Sequence, residues 1–130
     1  MKLAVGVTSR QHFATFVQRG TGGLVVGPYV LFEGNTNRVL ELAALNKIPT
    51  MYYSSVWVRL GGLMSYSASF GGALKVVVDY VGRILGGAKP ADLPVQRPTT
   101  FDFVINVKTA KALDLTVPPR LLVLATELID

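Results

Sequence analysis

Cysteine is absent from the 130 residues, which excludes disulfides, Cys-ligated metals and thiol catalysis. Histidine occurs once, at His12, beside Phe13 on the apolar side of an expected helix. A general base needs an orienting carboxylate and a nucleophile. No acidic residue lies near His12 in sequence, so it reads as a packing or surface residue. The eight carboxylates are dispersed singly, without the clustered ligands that a metal site needs. No metal and no cofactor is expected. No apolar run reaches the roughly 18–20 residues that cross a bilayer. The longest, Leu24 to Phe32, is interrupted by Gly27 and Pro28. The opening MKLAVGVTSR has one Lys but lacks the apolar region and cleavage site of a secretory signal, so no such signal is expected there.

Charge clusters are also missing. None of the thirteen Lys and Arg adjoins another, and no basic stripe is interleaved with aromatics. The net charge of +5 therefore reads as scattered surface charge, and nucleic acid is not an expected partner. What the chain does have is apolar character. Half of its residues are hydrophobic and only 16% are charged, an excess whose exposed part should meet other protein.

The apolar residues alternate between two periods. Leu3 to Val7 reads as a strand, and Ser9 to Arg19 as a helix with Ser9 as cap, ended by Gly20, Gly22 and Gly23. The run Leu24 to Leu31 reads as a strand covered on both faces. Asn35 caps an expected helix to about Asn46, then come a strand at Thr50 to Tyr53 and a helical turn at Ser55 to Leu60. Leu63 to Tyr66 fits a strand, Ser69 to Leu85 a long helix, and the proline-rich GGAKPADLPVQRP an extended connection. Phe101 to Val107 is the last expected strand. Thr109 then caps a turn ending near Leu113, and a final helix is expected over Arg120 to Ile129. Strand and helix in alternation mean an α/β fold with a mostly parallel sheet and helices on both faces.

In such sheets ligands bind at the carboxyl ends of the strands. The places to inspect are Thr8–Ser9, Pro28 to Glu33, Ser54–Ser55, Ser65 to Ser67 and Asn106 to Lys108. A phosphate loop is not supported. RGTGGLVVG precedes a strand, whereas a dinucleotide loop follows one, and GGLMSYSASFGG lacks both the lysine and the GxGxxG spacing. Aromatic and hydroxyl side chains remain, the usual lining of a small-molecule pocket. Tyr29, Phe32, Ser54, Ser55, Ser65 and Tyr66 are the candidate ligand-binding residues; no catalytic residue is assigned. The weaker possibility of a small enzyme using Ser65 and Tyr66 lacks a neighbouring acid or base.

Two long stretches then carry a resemblance. GGLMSY and DYVGRILGGAKPADLPVQRPTTFDFVINVKTAKALDLTVPPRLL resemble the C-terminal part of the ABC transporter substrate-binding protein family related to tryptophan and sugar uptake receptors. GLVVGPYVLFEGNTNRVLELAALNKIPTMYYSS looks like an earlier strand, helix and strand of the same family. The resemblance implies a partial periplasmic-binding-protein-like lobe and a non-enzymatic receptor that passes a small ligand, such as an amino acid, to an ABC permease. It also implies a periplasmic or lipid-anchored location outside the cytoplasm, and a first lobe that this chain lacks. On that basis residues 1–62 form a βαβαβ part of the second lobe. Residues 63–88 form a hinge-crossing strand with the long helix, and residues 89–130 a linker, a returning strand and C-terminal helices. The near-continuous apolar surface of the helix over 69–85 leads us to expect a homo-oligomer formed through it. An oligomeric α/β interaction module without transport activity is the alternative reading.

Overall fold

The computed structural model describes residues 2–3 and 10–130. The remainder of the first expected strand and Ser9 as a cap lie outside the described residues. The elements in chain order are β1 (Lys2–Leu3), α1 (Arg10–Gln18), β2 (Leu24–Val26), α2 (Val30–Glu33), α3 (Thr36–Leu45), β3 (Thr50–Tyr52) and α4 (Ser55–Arg59). They continue with β4 (Met64–Ala68), α5 (Phe70–Leu85), a 3-10 turn (Pro90–Asp92), β5 (Phe101–Asn106), α6 (Val107–Ala112), α7 (Pro119–Leu124) and β6 (Glu127–Ile129). The strands form one sheet in the order β1-β2-β3-β4-β5-β6. The class is α/β with a mostly parallel sheet, as the sequence pattern implies.

The chain divides into two compact units, residues 1–67 with 103–130, and residues 68–102. In the first, β2 and β3 alternate buried and half-buried residues, so Leu24, Val26, Thr50 and Tyr52 turn inward together. Phe13 of α1, Val39, Leu42 and Ala43 of α3, and Trp57 of α4 pack with Leu24, Val26 and Tyr52 as one core. α1 ends where Gly20 adopts φ 61°, a conformation that glycine takes without a Cβ penalty. α4 is capped by Ser54, whose hydroxyl accepts a hydrogen bond from Val56 N at 3.3 Å.

The direction of β5 matters for the site. Asn106 N donates to Leu63 O at 2.9 Å, and the rings of Tyr66 and Phe103 meet with centroids 6.2 Å apart. Advancing along one strand therefore means retreating along the other, so β5 runs opposite to β4. β6 runs parallel to β5, with Val104 level with Glu127.

In the second unit, Ser69 caps α5, its hydroxyl accepting from Gly72 N at 3.5 Å. The 16-residue helix buries none of its residues. Its only cover in the unit comes from the following segment, where Pro94 O accepts a hydrogen bond from the Tyr80 hydroxyl.

Three sequence expectations need correction. The apolar run from Leu24 is a strand only to Val26; Gly27 and Pro28 break it, and Val30–Glu33 is a helical turn. Asn106, not Thr109, caps α6: its carboxamide oxygen accepts from Thr109 N at 2.8 Å, and the Thr109 hydroxyl donates to Gly61 O instead. The expected helix over 120–129 stops at Leu124, and Glu127–Ile129 is a strand. Tertiary contacts hold it there. Glu127 takes both arms of the Arg59 guanidinium, at 2.6 and 2.7 Å, while Leu128 and Ile129 pair with Ile105 and Asn106.

Candidate functional site

Three parallel strands bring their carboxyl ends to one edge. Val26 is level with Tyr52, and Tyr52 with Ser65. Extending that register by one residue aligns Gly27, Tyr53 and Tyr66. Tyr29 follows just after β2, and Ser54 and Ser55 open α4 just after β3. Five of the six sequence candidates thus come from this edge of the first unit, with Phe32 a helical turn beyond Tyr29.

Their exposure separates them. Tyr29 and Tyr66 are 47% and 51% exposed, so both offer ring surface to a ligand. Ser54 and Ser55 are half-buried. With its oxygen accepting from Val56 N, the Ser54 hydroxyl keeps its proton to donate. Phe32 lies in the core and supports Tyr29 edge-on at 6.0 Å. Ser65 is fully buried, and its hydroxyl has no hydrogen-bond partner among the described residues. An orphaned buried hydroxyl is costly, and its neighbour Tyr66 faces outward.

Two aromatic neighbours were not among the candidates. Phe103 packs against Tyr66 because β5 runs opposite to β4, a direction that sequence order does not encode. Tyr53 meets Trp57 edge-on at 6.0 Å, and its place directly after Tyr52 was the available signal. Conversely, sequence order puts Asn106 to Lys108 at a strand end on the ligand edge. The reversed β5 puts Asn106 beside Leu63, at the amino end of β4. Asn106 serves there as a buried structural link, donating to Val58 O at 3.2 Å. His12, expected on an apolar face, is exposed.

A cavity of about 520 Å³ lies at the opposite, amino-terminal ends of β2, β3 and β4, bordered by Arg19 to Val25, Pro49 to Met51, Leu63 and Met64. It includes none of the six candidates. The second unit has its own cavity of about 640 Å³ between the first turn of α5 and residues Gln96 to Thr100. Neither has the aromatic lining of the carboxyl edge. No group of three potential metal ligands gathers among the described residues.

Tyr52 ties the edge to the core. Burial pushes its hydroxyl pKa up to about 12, with the nearby Thr50 hydroxyl pulling the other way. The folded state thus favours the neutral phenol. Its stabilising contribution is full below the unfolded value near pH 10 and is lost as pH rises towards 12, by about 3 kcal/mol at most. Urea melts at pH 9 and pH 11.5 should show this loss in the wild type and a smaller one in Tyr52→Phe. Equal losses in the two proteins would refute the assignment.

A family model described as ABC transporter substrate binding protein matches residues 14–129. The comparison with curated proteins gives no match. Among solved structures, a conserved domain protein from Vibrio cholerae O1 biovar El Tor superposes with a TM-score of 0.78 at 23% identity, over 92% of this chain and 40% of that one. The ABC domain from Streptococcus pneumonia in complex with L-Trp gives 0.76 at 27% identity, over 95% and 43%. A ligand-free, open substrate binding protein with adhesive properties from Clostridium difficile gives 0.66 at 24% identity, over 85% and 37%. This chain spans about two fifths of the length of these structures.

Proposed function

Because the chain belongs to the ABC transporter substrate-binding protein family, we propose that it supplies one wall of a binding cleft for a small solute such as an amino acid. Tyr29 and Tyr66 give ring contact, Ser54 and Ser55 orient polar groups, and Phe32 and Ser65 back them from the interior. The observation that carries the reading is the shared carboxyl edge of β2, β3 and β4, with both exposed tyrosines on it. The similar Streptococcus pneumonia domain is in complex with L-Trp, which directs attention to aromatic amino acids. Delivery to an ABC permease outside the cytoplasm, without catalysis, completes the proposal. No helix among the described residues is long and apolar enough to cross a membrane. The chain leaves its first unit after residue 67 and re-enters it at 103, so a crossing between lobes would fall at those two points, later than residues 63 and 89.

Thermal shift and calorimetry against amino acids, L-Trp included, and sugars test this. One solute should raise the melting temperature, with about 2.7 kcal/mol gained at a hundredfold excess over Kd. Tyr66→Ala should weaken that solute about tenfold or more. A panel in which nothing shifts, or full affinity in Tyr66→Ala, overturns the proposal.

A further inference from the structure

Tyr66 lies in the middle of β4 and faces outward, with the buried Ser65 before it. A half-exposed ring on a strand has more than one common side-chain setting open to it. Freezing one of them on binding costs affinity, and a neighbour that selects it beforehand removes that cost. Phe103 is such a neighbour. Its ring meets that of Tyr66 edge to face, the centroids 6.2 Å apart and the planes at 70°, an arrangement that aromatic pairs prefer. Phe103 is itself held from the other side of β5, where β6 lies. Thr126 N donates to Phe103 O at 2.8 Å. The Thr126 hydroxyl accepts from Phe103 N at 2.9 Å and donates to the same carbonyl at 3.0 Å. The ladder between β5 and β6 begins at the next residues, Val104 and Glu127. Thr126 thus adds one more level to that ladder, partly through its side chain, and this level carries the Phe103 ring. All three residues belong to the first unit.

We propose that Phe103 is a positioning residue for solute binding: it holds the Tyr66 ring in its outward setting, and Thr126 holds Phe103. Phe103 makes no solute contact of its own. Since it acts through Tyr66, it has this role only if Tyr66 is the solute contact proposed above. An aliphatic side chain at 103 would fill similar space but offer Tyr66 no ring, leaving the tyrosine free to turn. A valine at 126 would keep the shape of threonine and lose both hydroxyl hydrogen bonds, which loosens Phe103 at its main chain.

Calorimetry on the intact chain tests it, with L-Trp or the member of the panel above that raises the melting temperature most as probe. Affinities are compared at a temperature where circular dichroism shows each variant folded. Phe103→Leu should weaken binding about fivefold, the cost of ordering one side chain. Phe103→Tyr keeps a ring against Tyr66 and should stay within about twofold of the wild type. In a Tyr66→Ala background, Phe103→Leu should cause no further loss, because no ring is left to position. Thr126→Val should weaken binding about threefold, and Thr126→Ser, which keeps the hydroxyl, should restore it. Wild-type affinity in Phe103→Leu, where Tyr66→Ala has lost affinity, overturns this inference and leaves the solute reading standing. So does an equal loss from Phe103→Leu with and without the Tyr66 ring, the mark of direct contact or of general loosening. Wild-type affinity in Thr126→Val overturns the part given to Thr126. A wild-type chain that binds no member of the panel overturns the solute reading and this inference together.

Discussion

Gly62→Ala is expected to destabilise the first unit by about 3 kcal/mol, the upper part of the range for overpacking a filled core. A Cβ at this position would lie 2.7 and 2.9 Å from two ring carbons of Tyr52 and 2.8 Å from Trp57 O. Neither neighbour can withdraw cheaply. The Tyr52 ring is 2% exposed and stacked on Trp57 at 5.1 Å, and Trp57 O already accepts the Gly62 N–H at 2.8 Å. Backbone conformation is not the obstacle, because the positive φ in this pair belongs to Gly61, at 109°. Gly82→Ala is the control. Its Cβ meets nothing within 4 Å, and in the interior of a helix the change should stabilise by about 1 kcal/mol. Chemical denaturation of both variants checks the contrast. A Gly62→Ala protein as stable as the wild type would mean that Tyr52 and Trp57 do not close over this glycine.

The glycine pair at 61 and 62 reads in sequence as a turn before β4, and so it is. What the sequence does not reveal is that one glycine supplies a backbone angle and the other the absence of a side chain. The same limit runs through the fold. Elements long enough to display a period were legible, above all α5, whose expected span of 69–85 differs from Phe70–Leu85 only by its cap. Short elements were not. Leu24 to Leu31 is mostly apolar, which suits a strand or a helical turn equally, and it holds a strand and the start of a helical turn. Glu127–Ile129 is three residues long and becomes a strand because β5 and Arg59 hold it there. At the site, chain order alone put Tyr29, Ser54 and Tyr66 at strand ends. It did not say which of Ser65 and Tyr66 faces inward, since alternation gives a strand two faces without naming the buried one. Nor could it pair Tyr66 with Phe103, which follows from the reversal of β5.

Trp57→Ala should cost more than any other change considered, about 4 kcal/mol. The indole is 3% exposed, stacked on Tyr52 with planes 21° apart and met edge-on by Tyr53 at 62°. Removing it empties the junction between α4 and β3 and unsupports both tyrosines. Against a typical domain stability of about 5–15 kcal/mol, that loss leaves a protein partly unfolded at moderate temperature. Trp57 is the single tryptophan, so the variant must be followed by far-ultraviolet circular dichroism rather than by indole fluorescence. Trp57→Phe, which keeps a ring in the stack, should recover roughly half of the loss. The pair also separates support from contact at the ligand edge. Ser54 and Ser55 begin the helix that Trp57 anchors, so Trp57→Phe should lower solute affinity only in proportion to the fraction of protein unfolded. An affinity loss in fully folded Trp57→Phe would instead place the indole against the solute, and alanine at wild-type stability would remove Trp57 from the core altogether.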